Sequence, residues 1–168
     1  MAGFSGPVGH GLACTAGDID GDGWDDIYVA NDQTPNFLWI NNKDGTFSER
    51  AVQFGCATSN TGKARAGMSA TMIDIDGDLD QDLYVVNDDG ADFGGNVLYE
   101  NDDGTLRDVS EDRSAGLVHF GMGADAGDFN HDGAPDLYLT AVSSNVLLQA
   151  LPDGSYADVS QAIGADPL

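Results

Sequence analysis

The stretch DIDGDGWDDIYV at residues 18–29 decides the fold of this chain, because the same pattern occurs three times. The second copy is DIDGDLDQDLYV at residues 74–85, and the third is DFNHDGAPDLYL at residues 128–139. In each copy, acidic residues or an asparagine stand at positions 1, 3, 5 and 9, and an apolar run with a tyrosine follows. The copies begin 56 and 54 residues apart, and such a period is typical of repeat proteins.

The similarity continues on both sides of this stretch. A glycine and an apolar residue precede each copy by seven residues, and an asparagine with an apolar run and then an Asp-Gly turn follow it. Asp-Gly between apolar runs is a strong hairpin signal, so each repeat predicts four short strands. The predicted first strands are residues 11–17, 67–73 and 121–127; the second strands are 27–30, 83–86 and 137–141; the third are 36–41, 96–101 and 145–150; the fourth are 46–52, 105–110 and 155–160.

These strands predict an all-β fold of three four-stranded antiparallel propeller blades. Four strands at this period suit blades whose sheets pack face to face around an axis. No segment has the sustained 3.6-residue apolar period of a helix, so we expect almost no helix. We assign the blades to residues 9–57, 65–112 and 119–165 of one array that spans the chain.

The first strands are rich in small residues, which fit the crowded inner position of a blade. Cys14 lies in the first of them, in line with Ala70 and Ala124 of the other repeats. Two cysteines do not make a disulfide scaffold. We therefore expect Cys14 and Cys56 to be small buried residues.

The composition favours cations as partners. The 168 residues include six Lys+Arg and 29 Asp+Glu, which gives a formal net charge of −23. Nucleic acid and anionic membranes would repel such a chain, so we expect no nucleic-acid binding. No apolar run approaches the ~20 residues of a membrane span, so we expect no membrane insertion.

The spacing of the oxygen-bearing side chains predicts metal sites. Positions 1, 3 and 5 of a tight loop can direct their oxygens at one centre, the carbonyl of position 7 can join them, and position 9 closes the shell. An all-oxygen site of this kind is what Ca²⁺ prefers. We predict three Ca²⁺ sites: Asp18, Asp20, Asp22 and Asp26 with the Trp24 carbonyl; Asp74, Asp76, Asp78 and Asp82 with the Asp80 carbonyl; and Asp128, Asn130, Asp132 and Asp136 with the Ala134 carbonyl.

Two other interpretations of the acidic loops are weaker. A solvated acidic turn is the ordinary meaning of a charge run, but three copies with the same intervals argue against it. An EF-hand loop shares the beginning of the pattern, but it requires an acid at position 12 and flanking helices. Position 12 is apolar in all three copies, at Val29, Val85 and Leu139.

The repeats resemble FG-GAP repeats, also called VCBS repeats, which occur in integrin-α-type propellers. The fuller pattern at residues 22–32, 36–39 and 44–47 is most similar to bacterial ASPIC/UnbV-type relatives of cartilage acidic protein. The resemblance covers roughly residues 9–165. It implies β-propeller blades, calcium between the first and second strands, and a mostly extracellular or periplasmic location. The family's Gly-Ala-Pro element after the second strand is replaced by Asn-Asp, so an integrin-like ligand role is not expected.

No set of residues predicts catalysis, and we do not expect an enzyme. His10, His119 and His131 do not combine with a nucleophile in any known motif, and His131 lies in the third acidic loop, where we expect it to be solvated. A carboxylate pair of the glycosidase kind is possible in principle, but calcium ligation explains the acids better. Trp24, Trp39 and the tyrosines that recur after position 9 are expected to pack within the blades.

The expected function is therefore a calcium-binding structural or interaction module of the cell surface or extracellular space. The alternative is a carbohydrate-binding, lectin-like propeller, which would need an exposed aromatic residue repeated in each blade. Residues 1–5 lack the basic start and apolar stretch of a signal peptide. Closed propellers have about four to eight blades. We therefore expect self-association, either as a six-blade ring of two chains or head to tail, or else that the chain belongs to a longer propeller; a glycan or protein ligand is also possible.

Overall fold

A computed structural model describes residues 3–88 and 94–164, which form short strands and one four-residue helix. The all-β prediction is confirmed. The predicted end of blade 3 at residue 165 and part of blade 2, residues 89–93, lie outside the described residues. The elements are β1 (Gly3–Phe4), β2 (Gly11–Gly17), β3 (Asp26–Asn31), β4 (Phe37–Asn41), β5 (Thr46–Glu49), β6 (Gly67–Ile73), β7 (Asp82–Asn87), β8 (Val97–Asp102), β9 (Thr105–Asp108), β10 (Gly121–Gly127), β11 (Asp136–Ala141), β12 (Val146–Ala150), β13 (Tyr156–Asp158) and α1 (Ser160–Ile163).

The strands form three sheets, one for each repeat. Blade 1 has the strand order β1-β5-β4-β3-β2, blade 2 has β6-β7-β8-β9, and blade 3 has β10-β11-β12-β13. Consecutive strands within each repeat pair antiparallel, whereas β1 pairs parallel with β5. Within the described residues the sheets do not close into a barrel. The architecture is that of separate propeller blades, with a fifth strand in blade 1 that the repeat pattern did not predict.

The first strands begin and end where the sequence predicts, whereas the fourth strands are shorter than predicted. In blade 1 the fourth strand ends at Glu49, whose Oε1 accepts hydrogen bonds from the Leu38 and Ala51 amides. In blade 2 the Ser110 hydroxyl accepts from the Leu98 amide in the same way. At these points a side chain has replaced the backbone carbonyl as the acceptor for the third-strand amide, whereas the amides of Arg50 and Val109 still donate to the Leu38 and Leu98 carbonyls. The regular ladder therefore ends here.

Two apolar cores lie between the blades. The first joins one face of blade 1, including Tyr28 and Leu38, to the facing residues of blade 2, including Val85 and Tyr99. The second joins the opposite face of blade 2, including Tyr84, to blade 3. The recurring tyrosines tie each core to the chain that follows: the Tyr28 hydroxyl donates to the Cys56 carbonyl (3.1 Å), and the Tyr84 hydroxyl donates to the Ala115 carbonyl (2.9 Å).

Position 2 of each acidic loop points towards the next blade. Ile19 is fully buried in the core between blades 1 and 2, and Ile75 is buried in the core between blades 2 and 3. Phe129 stands at the same position in blade 3 and is 54% exposed, with no further blade beside it among the described residues. The side chain at position 2 of each loop therefore points towards the following blade, and on blade 3 this face is exposed.

The prediction that both cysteines are buried is wrong for Cys14. Cys56 is buried in the first core, but Cys14 is exposed on β2. Its counterpart Ala70 is buried because blade 1 covers that face of blade 2. Within the described residues no blade covers the corresponding face of blade 1, so the thiol faces solvent.

Candidate metal centres

The acidic loops join the first strand of each blade to the second, and the carboxylate at position 1 folds each of them. Asp18 accepts hydrogen bonds from the amides of Asp22 (3.0 Å) and Gly23 (2.7 Å). Asp128 accepts from the equivalent amides of Asp132 (3.1 Å) and Gly133 (3.0 Å). Both carboxylate oxygens are thereby fixed at the centre of the loop, before any cation is considered.

The backbone of the loops explains their glycines. Positions 4 and 6 have positive φ in all three loops. This backbone conformation is energetically neutral for glycine and unfavourable for residues with a Cβ. Four of these six positions are glycine. Leu79 (φ 78°) and His131 (φ 60°) adopt the same conformation without that freedom. The tight path brings positions 1, 3 and 5 to the same side of each loop.

The first two loops bring three carboxylates together. Asp18, Asp20 and Asp22 each offer one oxygen within 4.8 Å of the others, and Asp74, Asp76 and Asp78 do the same. Burial, and then the nearby negative charge of Asp22, raises the pKa of Asp20. Burial raises the pKa of Asp76 as well. The ionised carboxylates are therefore held against their mutual repulsion, which a bound cation would relieve.

One atom of the first loop tests directly whether a cation fits. Asp20 Oδ1 is buried and has no hydrogen-bond partner in the protein. A buried acceptor without a partner is costly and rare in native proteins. A metal ion bound by Asp18, Asp20 and Asp22 would supply that partner. The donor set, which is entirely oxygen, suits a hard divalent cation.

Position 9 has a structural role that spacing alone did not reveal. Asp26 is fully buried, and its two oxygens accept hydrogen bonds from the Ile19 amide (3.1 Å) in the loop and the Asn41 amide (2.8 Å) at the end of β4. The same pair of bonds recurs at Asp82 and Asp136. Burial raises the pKa of Asp26 and that of Asp82 to about 6. Each of these carboxylates ties its loop to the third strand, and its metal ligation stays a prediction.

The third loop differs from the other two in its hydrogen bonds. Asn130 replaces an aspartate at position 3, and its Nδ2 donates to Asp132 Oδ2 (2.8 Å). Its Oδ1 accepts from the Asp132 amide (2.9 Å). An internal hydrogen bond thus takes the place of carboxylate repulsion in this loop.

The sequence predicts that the carbonyl oxygens of position 7 are metal ligands. In the structure, the position-7 residues are held in place by hydrogen bonds from their backbone amides. The amides of Trp24, Asp80 and Ala134 donate to the position-5 carboxylate of their own loop at 2.9–3.0 Å. These bonds hold position 7 next to the cluster. Coordination by its carbonyl stays a prediction.

Two basic residues beside the loops were missed by the sequence analysis. Lys43 Nζ lies 2.9 Å from Asp22 Oδ2, and this hydrogen bond lowers the pKa of Asp22. Arg113 is ion-paired with Glu100 and lies 3.7 Å from Asp76 Oδ2. Both cations come from distant parts of the sequence, so no local motif could have shown them.

The aromatic residues are divided between core and surface. Tyr28 and Tyr84 are fully buried and Trp39 is 7% exposed, as the packing interpretation predicts. The packing prediction is wrong for Trp24, which is 51% exposed because it lies at position 7 of the first loop, outside the sheet; the other loops have Asp80 and Ala134 there. His131 is exposed.

The part of the chain that the structure describes contains no helix that is long and apolar enough to cross a membrane.

Comparison with known families agrees with the geometry. A model of the FG-GAP-like repeat matches residues 18–85 and again residues 74–139, so the two matches together cover well over half of the chain. Each match runs from one acidic loop into the second strand of the next blade. No curated protein matches the sequence, and the similarity to ASPIC/UnbV-type proteins stays a prediction. The two family matches and the three blades show that the chain belongs to the family of FG-GAP-like repeat proteins.

Proposed function

We propose that the chain is a calcium-binding interaction module of the extracellular space, in which Ca²⁺ stabilises each blade. FG-GAP-like repeats suggest a module of this kind. The observation that carries the proposal is the convergence of Asp18, Asp20 and Asp22 within 4.8 Å, with Asp20 Oδ1 buried and unpartnered. An ion held there would convert a repulsive cluster into a cross-link between three positions of the loop.

The chemistry of the loops favours calcium over other metals. Zinc and copper sites use histidine and cysteine, and the only such residue within the three loops is His131, which is exposed. Mg²⁺ demands near-ideal octahedral geometry and usually retains several waters. Ca²⁺ accepts a larger and less regular shell of carboxylate and carbonyl oxygens, which a loop with ligands at positions 1, 3, 5, 7 and 9 can offer.

The metal loops lie at the contact between blades, which gives the ion a role beyond its own loop. The Asn101 side chain of blade 2 donates from Nδ2 to the carbonyl of Ile19 in the first loop (2.9 Å). The Ile19 side chain enters the core between the same two blades. An ion that rigidifies the first loop therefore also fixes the surface on which blade 2 packs.

The observations favour an interaction module over the alternatives. A lectin-like propeller would repeat an exposed aromatic residue in each blade, whereas the recurring tyrosines of blades 1 and 2 are buried. Catalysis would require available acids, whereas the position-9 carboxylates accept two backbone hydrogen bonds each. We therefore place function in the blade surfaces, as sites of self-association or adhesion.

Thermal melting tests the proposal. A ligand that binds only the folded state adds about 2.7 kcal/mol per site at a hundredfold excess over Kd, which corresponds to a rise of roughly 5–10 °C in Tm for a chain of this size. We expect the Tm of the metal-free protein to rise by at least that amount with Ca²⁺ and much less with equimolar Mg²⁺.

Two variants of the first loop sharpen the experiment. Asp20→Asn removes one charge from the cluster and should reduce the calcium-dependent rise in Tm. Asp25→Asn removes the same charge from an exposed side chain of the same loop, and should leave that rise unchanged. An identical Tm with Ca²⁺ and after verified metal removal would refute calcium binding.

A further inference from the structure

We infer that Lys43 competes with calcium at the first acidic loop: its ammonium group holds Asp22 in the metal-free chain, and Ca²⁺ displaces it on binding. This role of Lys43 rests on the proposed function, and it names a residue that regulates one of the calcium sites. Lys43 Nζ lies 2.9 Å from Asp22 Oδ2 and 3.5 Å from the Asp22 carbonyl oxygen. Asp22 is one of the three aspartates whose oxygens converge in this loop.

The turn that carries Lys43 is fixed to the first loop by hydrogen bonds in which the ammonium group takes no part. Asn41, at the end of β4, donates from its amide to Asp26 Oδ1 (2.8 Å) and from Nδ2 to the Asp25 carbonyl (3.1 Å). Asn41 Oδ1 in turn accepts from the Lys43 amide (3.0 Å). The backbone of Lys43 therefore stays beside the loop when its side chain is released or shortened.

Lys43 has no basic counterpart in the same turn of the other two blades. The turn of blade 2 is one residue shorter and approaches its loop through the Asp103 amide, which donates to Asp80 Oδ2 (3.1 Å). Pro152 stands at the position of Lys43 in blade 3. Of the three turns between third and fourth strands, only that of blade 1 therefore brings a positive charge to its acidic loop.

The positive charge beside the second loop is engaged elsewhere. Arg113 lies 3.7 Å from Asp76 Oδ2, but its closest carboxylate is that of Glu100, with which it forms an ion pair. In the described part of the chain, Lys43 forms an ion pair with Asp22 alone. The charge of Lys43 is thus directed at a predicted metal ligand, whereas that of Arg113 is shared with a carboxylate outside the loop.

An ammonium group and a divalent ion repel each other when both contact one carboxylate. The Lys43 side chain is 45% exposed, so it can leave for water, and exposed ion pairs of this kind contribute little to stability. Lys43 also leaves Asp20 Oδ1 buried without a partner, whereas Ca²⁺ would bind Asp20 and Asp22 together. Calcium should therefore displace the lysine, and the lysine should lower the calcium affinity of the first loop.

A calcium titration of the full chain, followed by tryptophan fluorescence, tests the competition. Trp24 lies in the first loop and is exposed, whereas Trp39 is buried in blade 1. Lys43→Met removes the charge and keeps the stem, and it should bind Ca²⁺ about three- to tenfold more tightly than the wild type. Without calcium its Tm should fall by roughly 1–4 °C. Lys63→Met removes the same charge from an exposed side chain outside the loops, and should behave as the wild type does.

Acetylation of the wild type measures the displacement directly and does not depend on how a variant folds. Lys43 and Lys63 are the two lysines of the chain, and mass spectrometry distinguishes them. Calcium should raise the rate of acetylation at Lys43 and leave the rate at Lys63 unchanged.

The outcomes separate the role of Lys43 from calcium binding itself. Equal calcium affinity of Lys43→Met and the wild type, or acetylation of Lys43 at the same rate with and without calcium, would overturn the competition and keep the proposed function. If neither the wild type nor Lys43→Met bound Ca²⁺, the proposed function would fail and the competition with it.

Discussion

At the scale of single residues, the two thiols lie in opposite environments. Burial raises the pKa of Cys56 to about 12, and its Sγ lies 3.7 Å from the Ala51 carbonyl oxygen, to which it donates. Cys14 is exposed on the first strand of blade 1. Thiols react as thiolates, so Cys56 is protected both by its pKa and by the core that surrounds it.

We expect a thiol reagent such as DTNB to titrate one cysteine of the native, dilute protein at pH 8. Cys56 should react at least about a hundredfold more slowly, since only a minute fraction of a thiol with this pKa is ionised. The Cys14→Ser variant should show almost no rapid reaction, and both thiols should react in guanidinium. Rapid reaction of two thiols in the folded wild type would mean that the first core opens readily.

At the scale of structural elements, the three acidic loops are built alike and differ in charge. Position 1 folds the loop, position 9 anchors it to the third strand, and position 5 holds position 7 in all three. Only the third loop has Asn130 at position 3, and its amide already occupies one oxygen of Asp132. A calcium ion would have to displace that hydrogen bond and would gain one fewer negative ligand.

The third loop should therefore bind calcium most weakly. Isothermal titration calorimetry should resolve a weaker class of site, and Asn130→Asp should strengthen that class by roughly tenfold or more, since ligand charge sets affinity in such loops. Asp18→Ala should remove more calcium-dependent stability than Asp128→Ala. If calorimetry assigned the tightest site to the third loop, charge at position 3 would not control affinity.

Periodicity predicted most of these elements, and the exceptions have physical causes. Glycines and the acidic loop mark both ends of each first strand, which is why their bounds were predicted correctly. The two residues of β1 carry no period, so nothing in the sequence announced a fifth strand. Alignment placed Cys14 on the correct strand but could not show whether another blade covers it. The contacts of Lys43 and Arg113 depend on how separate turns meet, which spacing within a motif does not encode.

At the scale of the whole molecule, the two ends of the array are unequal. The segment from Gly3 to Gly9 folds back over the face of blade 1 that carries Phe37 and Trp39. The Phe4 ring stacks on Phe47 (4.7 Å between centroids) and meets the edge of Trp39 (5.2 Å). Trp39 and Phe37 are consequently buried, whereas Phe129 at the other end is not. The segment from Gly3 to Gly9 therefore covers part of blade 1, which the repeat pattern did not predict.

This segment should stabilise blade 1. Each aromatic contact of Phe4 contributes about 0.5–1.5 kcal/mol beyond simple burial, so Phe4→Ala should lower the Tm by roughly 3–10 °C. Thermal melting in calcium measures the effect, and Ser5→Ala serves as the control for an exposed neighbour. An unchanged Tm of Phe4→Ala would mean that these ring contacts do not stabilise the blade.

The stacking of blades also has a consequence for how the chain is made. Contacts between strands of different sheets join blade 1 to blade 2 and blade 2 to blade 3, as in the packing of β2 on β6 and of β6 on β10. Each repeat therefore buries its apolar faces only against its immediate neighbours in the sequence. During synthesis, the first core can form as soon as blade 2 has left the ribosome, and blade 3 then packs on a pair of blades that is already folded. Under mechanical tension the order reverses, and repeats can unravel one at a time from an end.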